Sequence, residues 1–125
     1  MSEASGPDAV IGAYRRLRSL VAEMLVLAGN AEWDELIERQ QRYLEQVDRI
    51  KALDAESELP AGHAAHKAEL LEAILADDLA IRRHLVARRD ELGQLIDSSR
   101  RQRDLQRAYG RQGAPLGDGF DQGST

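Results

Sequence analysis

Residues 24–36 read MLVLAGNAEWDEL, and this stretch decides the fold. An apolar run stops at Gly29-Asn30, and a new amphipathic pattern begins at Trp33. Glycine readily takes the left-handed conformation that ends helices, and asparagine is among the best helix N-caps. The pair therefore reads as one helix stopping and the next starting across a very short turn. Helices joined so tightly lie antiparallel, as a hairpin.

Upstream, Val10, Tyr14, Leu17, Val21, Met24 and Ala28 recur every three or four residues, and Ile11, Leu20, Leu25 and Leu27 widen the stripe. Ser5-Gly6-Pro7-Asp8 supplies a start signal: a serine cap, a proline in the first turn and an acid three residues on. The spacing predicts a first helix over residues 7–28. Downstream, Trp33, Leu36/Ile37, Tyr43/Leu44, Val47, Ile50 and Leu53 mark a second helix, residues 31–54. The beat fails in 54-DAESELPAGH-63, a loop by its Pro60 and Gly62.

A third helix is predicted over residues 62–97, through Leu70/Leu71, Ile74/Leu75, Leu79, Ile81, Leu85, Leu92 and Leu95/Ile96. At 1.5 Å per residue it is about 50 Å long, against about 33 Å for each of the first two. Laid against the second helix, its last turns extend past the 29–32 turn. Leu92, Leu95 and Ile96 then need a cover. Ser98-Ser99 reads as a break and a new cap, opening a short fourth helix over residues 98–110 with Leu105 and Tyr109 on its apolar face. Folded back, it covers those three side chains. Gly110 reads as its stop, and the glycine-rich residues 111–125 read as disordered. The expected fold is all-α: an antiparallel three-helix bundle (body 1–97), a short C-terminal fourth helix and a disordered tail.

Composition narrows the function. The chain has 125 residues, one domain's worth, with 42% hydrophobic and 31% charged residues and no cysteine. That excludes a disulfide framework and thiolate zinc sites. No apolar run reaches the 18 residues of a membrane span. The first ten residues lack the basic and apolar regions of a secretion signal, so a cytoplasmic protein is expected. The net charge of −5 is uneven: residues 1–81 carry −8, residues 82–111 carry +5, and residues 112–125 carry −2.

Chemistry-bearing patterns are sparse. His63, His66 and Glu69 are spaced three apart at a loop–helix junction and drift around the helix, a poor metal site. Glu32, Asp34, Glu35 and Glu38 sit where a helix dipole favours acids. Asp78 falls on the apolar stripe, to be paired with an arginine or placed at the rim. No nucleophile triad or phosphate loop is present, so neither an enzyme nor a cofactor or metal is expected. The arginines of 82–89 and 100–107 sit in a chain that is acidic as a whole, with Asp90, Glu91, Asp97 and Asp104 interspersed through 82–111, and they lack an array of stacking aromatics, so direct nucleic-acid binding is not expected.

Several stretches together resemble the FliT family of flagellar export chaperones. They are 31-AEWDELIERQQRYLEQVDRI-50 and 85-LVARRDELGQLIDSSRRQRDLQRAYGR-111. Glu32-Trp33-Asp34 opens the second helix, and Tyr43-Leu44 follows ten residues after the tryptophan. Arg89-Asp90-Glu91-Leu92, Leu95-Ile96 and Leu105-Gln106-Arg107-Ala108-Tyr109-Gly110 complete the order. The first helix is similar too, and the likeness spans about residues 10–111. The resemblance implies a cytosolic, non-enzymatic chaperone. It would bind the filament-capping protein FliD, prevent its premature assembly and deliver it to the export ATPase complex and export gate. For some members it implies binding of the flagellar master activator and restraint of transcription. It also makes the terminal helix a regulatory cover whose tyrosine, Tyr109 here, serves export-gate docking. For partner binding the expectation is Leu44, Val47, Leu71, Leu75, Leu92, Leu95 and Ile96, with the last three covered by Leu105 and Tyr109 of the regulatory helix. The alternatives are a transcriptional regulator acting on DNA or through an activator, and a client-free helical adaptor. Monomer and homodimer both remain open.

Overall fold

A computed structural model describes residues 6–117, with side chains through Gly110. Three helices, and no strand among the described residues, follow in order: α1 (Pro7–Gly29), α2 (Trp33–Glu56) and α3 (Ala61–Gly117). The chain divides into two units, one ending at Leu85 and the other beginning at Val86.

α1 starts at Pro7, where a missing N–H costs nothing because the first-turn donors have no intrahelical partner. The cap position is Gly6 rather than Ser5, which lies outside the described residues. Gly6 sits at φ 91°, a conformation glycine enters without steric cost. Its carbonyl accepts the Val10 N–H at 3.2 Å.

The 29–32 turn differs from its sequence reading in which residue turns left-handed. Ala31 does so, at φ 59°. The Glu32 N–H reaches the Leu27 carbonyl at 2.9 Å and the Ala31 N–H reaches the Ala28 carbonyl at 3.1 Å. These are the two bonds of a Schellman closure. They satisfy carbonyls that α1 would otherwise leave bare, which offsets the roughly 1 kcal/mol that a left-handed alanine costs. Asn30 closes α1 instead of capping α2, whose cap position is Glu32 without a side-chain cap bond. Asp34 and Glu35 in the first turn of α2 suit the helix dipole there.

Within the first unit, α1 is the most buried element. Val10, Ile11, Ala13, Tyr14, Leu17, Val21, Met24 and Ala28 are all buried. Against them pack Leu36 and Ile50 of α2, and Leu70, Ile74 and Ile81 of α3. Trp33 is half-buried against this core. Gln46 of α2 donates to the Ala13 carbonyl at 2.9 Å, and Arg39 pairs with Glu23 at 3.1 Å. Moving up α2 means moving down α1, so the two form an antiparallel hairpin.

A polar cluster ties the three helices together. Tyr14 of α1 donates to Asp54 Oδ2 of α2 at 2.7 Å. Lys67 of α3 lies 3.5 Å from Asp54 and 5.3 Å from the centre of the Tyr14 ring. Burial and the Asp54 carboxylate push the Tyr14 phenol well above its ordinary range. The phenol of an unfolded chain ionises near pH 10. Stability linked to Tyr14 is therefore complete below that pH and lost as pH rises beyond it. We expect Tyr14→Phe to cost about 1 kcal/mol at neutral pH and to flatten the alkaline loss, read as thermal midpoints from pH 7 upward. An unchanged alkaline slope would contradict the assignment.

The C-terminal part departs from the expected fourth helix. α3 runs without interruption from Ala61 through Ser98-Ser99 and Gly110 to Gly117. Serine inside a helix costs only about 0.5 kcal/mol relative to alanine, so it interrupts a helix only where packing rewards a bend. From Arg89 through Gly110 every residue is exposed, and nothing draws the chain aside. Gly110 does not take the left-handed conformation and does not act as a stop. Residues 118–125, part of the predicted disordered tail, lie outside the described residues.

Candidate functional site: an apolar strip on α2 and α3

Helical geometry places the predicted partner face. On α2, Arg39 and Gln46 look toward α1, as their bonds to Glu23 and Ala13 show. Leu44 stands two residues from Gln46, about 200° around the helix, and Ile37 lies one heptad before it. Both therefore face away from α1. On α3, Asp8 of α1 reaches His63 at 3.0 Å, whereas Lys67 turns to Asp54 of α2. Leu71, Leu75 and Leu79 follow Lys67 at four-residue steps, on the α2 side.

Register brings the two rows together. Asp54 and Lys67 are in contact, and the two helices run in opposite directions. Ten residues back along α2 and ten on along α3 bring Leu44 level with Asp77, between Leu75 and Leu79. Ile37, Leu44, Leu75 and Leu79 thus border one α2–α3 groove. Leu75 is 61% exposed and Leu44 is 47% exposed, while Ile37 and Leu79 are also open to solvent. Val47 and Leu71 are half-buried and form the floor, packed against the core. At one end Leu71 joins a depression of about 400 Å³ lined by Ser57, Leu59, Lys67 and Ala68.

Leu44, Val47, Leu71 and Leu75 are the residues expected from the sequence, and Ile37 and Leu79 are additions to them. Spacing is the signal that points to the added pair: Ile37 lies seven residues before Leu44, and Leu79 four beyond Leu75. Asp78 is half-buried and pairs with Arg82 on its own helix at 2.9 Å. That intrahelical pair resolves the acid on the apolar stripe.

In the second unit Leu92, Leu95 and Ile96 are exposed, and so are Leu105 and Tyr109. All five stand on one continuous helix, so the latter two do not lie over the former three. Tyr109 is 79% exposed. The basic stretch is laced with local ion pairs: Arg88–Glu91 at 3.4 Å, Arg89–Asp90 at 3.7 Å and Arg107–Asp104 at 4.0 Å. Such pairs contribute little to stability, but they temper the local positive field. No described helix is long and apolar enough to cross a membrane.

Comparison with known proteins gives the strip its context. The sequence profile of the family described as "Flagellar protein FliT" matches residues 11–111. The chain is 34% identical over 101 residues to a flagellar protein FliT from Photorhabdus laumondii, a match covering 81% of each chain. It is 35% identical over 98 residues to the protein of that name from Cronobacter sakazakii, covering 78% of this chain and 81% of the relative. For Pectobacterium carotovorum the figures are 26% over 105 residues, covering 84% and 83%. No solved structure matches. With the profile spanning both the α2–α3 strip and the arginine-rich end of α3, this chain belongs to the FliT family of flagellar proteins.

Proposed function

We propose that the chain is a flagellar export chaperone whose client lies in the α2–α3 groove. The observation that carries this reading is the row Ile37, Leu44, Leu75 and Leu79, large apolar side chains open to solvent on adjoining helices. The proposed client is a C-terminal amphipathic segment of the filament-capping protein FliD, docked helix-in-groove with its apolar face inward. Bound there, the segment's sticky face is hidden and premature assembly is blocked. Membership of a family named for the flagellum supports the choice of client class.

The loaded chaperone then passes FliD to the export ATPase complex and the export gate, with Tyr109 and Leu105 as contacts. Residues 98–110 act as the regulatory segment. Covering Leu92, Leu95 and Ile96 requires α3 to part at Ser98-Ser99, so the continuous helix is the released arrangement. Once free of client, the protein binds the flagellar master activator and restrains transcription without touching DNA itself. All of this takes place in the cytosol.

The test is hydrogen exchange on the full chain with and without a peptide of the FliD C-terminal segment. Protection is expected on residues 37–47 and 71–79. Protection confined to α1, or none, would overturn the reading. Tyr109→Ala separates docking from folding. It should leave stability within about 0.5 kcal/mol, as for other exposed sites, yet weaken capture of the export ATPase complex about tenfold, roughly one exposed aromatic contact. A parallel loss of stability would return Tyr109 to a structural role.

A further inference from the structure

The hairpin carries a second groove, lined by α1 and α2 alone, with a volume of about 640 Å³. Its lining includes Arg15 and Arg16 on α1 and Arg42 and Arg49 on α2, together with Leu20, Glu23 and Glu45. Residues 1–81 contain eight Lys and Arg against sixteen Asp and Glu. Half of the cations of that stretch therefore gather in one groove of an otherwise strongly acidic body.

Some arginines elsewhere are neutralised by acids on their own helix. Arg82, Arg88, Arg89 and Arg107 each pair with an acid within four residues. The groove arginines are not neutralised in that way; Arg18, Arg83, Arg100, Arg101 and Arg103 also make no ion pair among the described residues, but they do not line this groove. Among the described residues none of Arg15, Arg16, Arg42 and Arg49 makes an ion pair. Glu23 is already held by Arg39 at 3.1 Å. Residues 11–20, IGAYRRLRSL, contain no acid at all. Four guanidinium groups thus face a common space with Glu45 as the uncommitted counter-charge, an arrangement that repels itself until an anion enters.

The dimensions indicate what kind of anion. From Arg15 to Glu23, and from Arg42 to Arg49, the walls run about two helical turns, roughly 12 Å. Leu20, the one apolar side chain among the lining residues, offers an apolar seat. Glu23 and Glu45 would repel a continuous phosphate backbone, and no aromatic side chain lines the groove to stack a base. Carboxylates spaced three or four residues apart on a helix match the arginine spacing, and guanidinium forks bind carboxylates bidentately.

We propose that this groove is a separate docking site for an acidic amphipathic helix of a protein partner. Carboxylates of that helix pair with Arg15, Arg16, Arg42 and Arg49, and one of its apolar side chains rests on Leu20. The site is distinct from the α2–α3 strip and does not depend on the client proposed there.

An NMR titration of the full chain tests it. The probe is a short synthetic helix with glutamates every three or four residues and leucines between them. Amide shifts are expected on residues 15–23 and 42–49, with binding weakened at least about tenfold as salt rises from roughly 0.05 to 0.3 M. Arg16→Glu with Arg42→Glu should weaken binding by more than about tenfold. The milder Arg16→Gln with Arg42→Gln serves if the charge reversal unfolds the chain, and should still weaken binding severalfold. The proposal is overturned if the shifts map to α2–α3 or are absent. It is equally overturned if the glutamine variant binds as the parent does, or if a poly-dT oligonucleotide binds the same amides more tightly than the peptide.

Discussion

Val21→Asp is expected to unfold most of the protein at 37 °C. Val21 is 1% exposed, in the middle of the most buried helix, with no charged side chain in the surrounding core cluster, and the Tyr14 hydroxyl there is already given to Asp54. The substitution removes about 2 kcal/mol of apolar burial. It also places a carboxylate where no donor waits, so the group stays charged at a desolvation cost or takes up a proton against its ordinary acidity. Together these amount to roughly 4 kcal/mol or more, in the range reserved for buried unpaired charges. A small domain holds about 5–15 kcal/mol in all. Thermal unfolding followed by circular dichroism should show the midpoint lowered by at least about 15 °C, or no cooperative transition. The comparison that gives this meaning is Leu75→Glu. It also puts an acid in place of an apolar residue, but at a site 61% exposed, and should move stability by no more than about 0.5 kcal/mol. Similar losses for the two would mean that Leu75 belongs to the core and not to an open strip.

The contrast between Val21 and Leu75 also marks how far the sequence could be read. The α1 stripe was legible in full: Val10, Tyr14, Leu17, Val21, Met24 and Ala28 recur as one row, and all are buried. On α2 and α3 the apolar positions come as adjacent couples, Leu36/Ile37, Tyr43/Leu44, Leu70/Leu71 and Ile74/Leu75. Neighbours on a helix stand 100° apart, so only one of each couple can point to the centre. Periodicity says that a couple lies near the core but not which member enters it. Packing chose Leu36, Leu70 and Ile74, and left Ile37 and Leu75 outside. Boundaries were harder for a different reason. Ser98-Ser99 carries a cap signal worth about 1 kcal/mol at a real helix start, yet serine is nearly as acceptable in the interior. Without packing to favour a bend, α3 continues. The arginine groove was not legible at all, because nothing in the linear order joins Arg15 and Arg16 to Arg42 and Arg49. The antiparallel register of the hairpin brings them together.

With the client site proposed above, Leu44→Glu combined with Leu75→Glu is expected to abolish useful binding of the proposed FliD segment while leaving the protein folded. Both side chains stand at the rim of the α2–α3 groove, within about one helical turn of one another along it. A client helix laid along the groove would bury both at once. Losing two leucine contacts removes about 1.5–3 kcal/mol each when burial is complete. Each new carboxylate must also shed water against the client's apolar face. The two sites share a partner surface, so the losses will not add fully. A total of about 3–4 kcal/mol is expected, equivalent to a rise in Kd of roughly 140- to 700-fold. Calorimetric titration of the parent and the double variant measures that ratio. Leu44→Met with Leu75→Met should stay within a few-fold of the parent, since volume and apolarity are kept. The Arg16→Gln, Arg42→Gln variant should bind the FliD segment normally, because its groove lies on the other face of α2. If the double glutamate variant bound the segment within threefold of the parent, the α2–α3 strip would not be the client site. If the arginine variant failed instead, the client would have to lie across α1 and α2, and the acidic helix inferred for that groove would be the client's own.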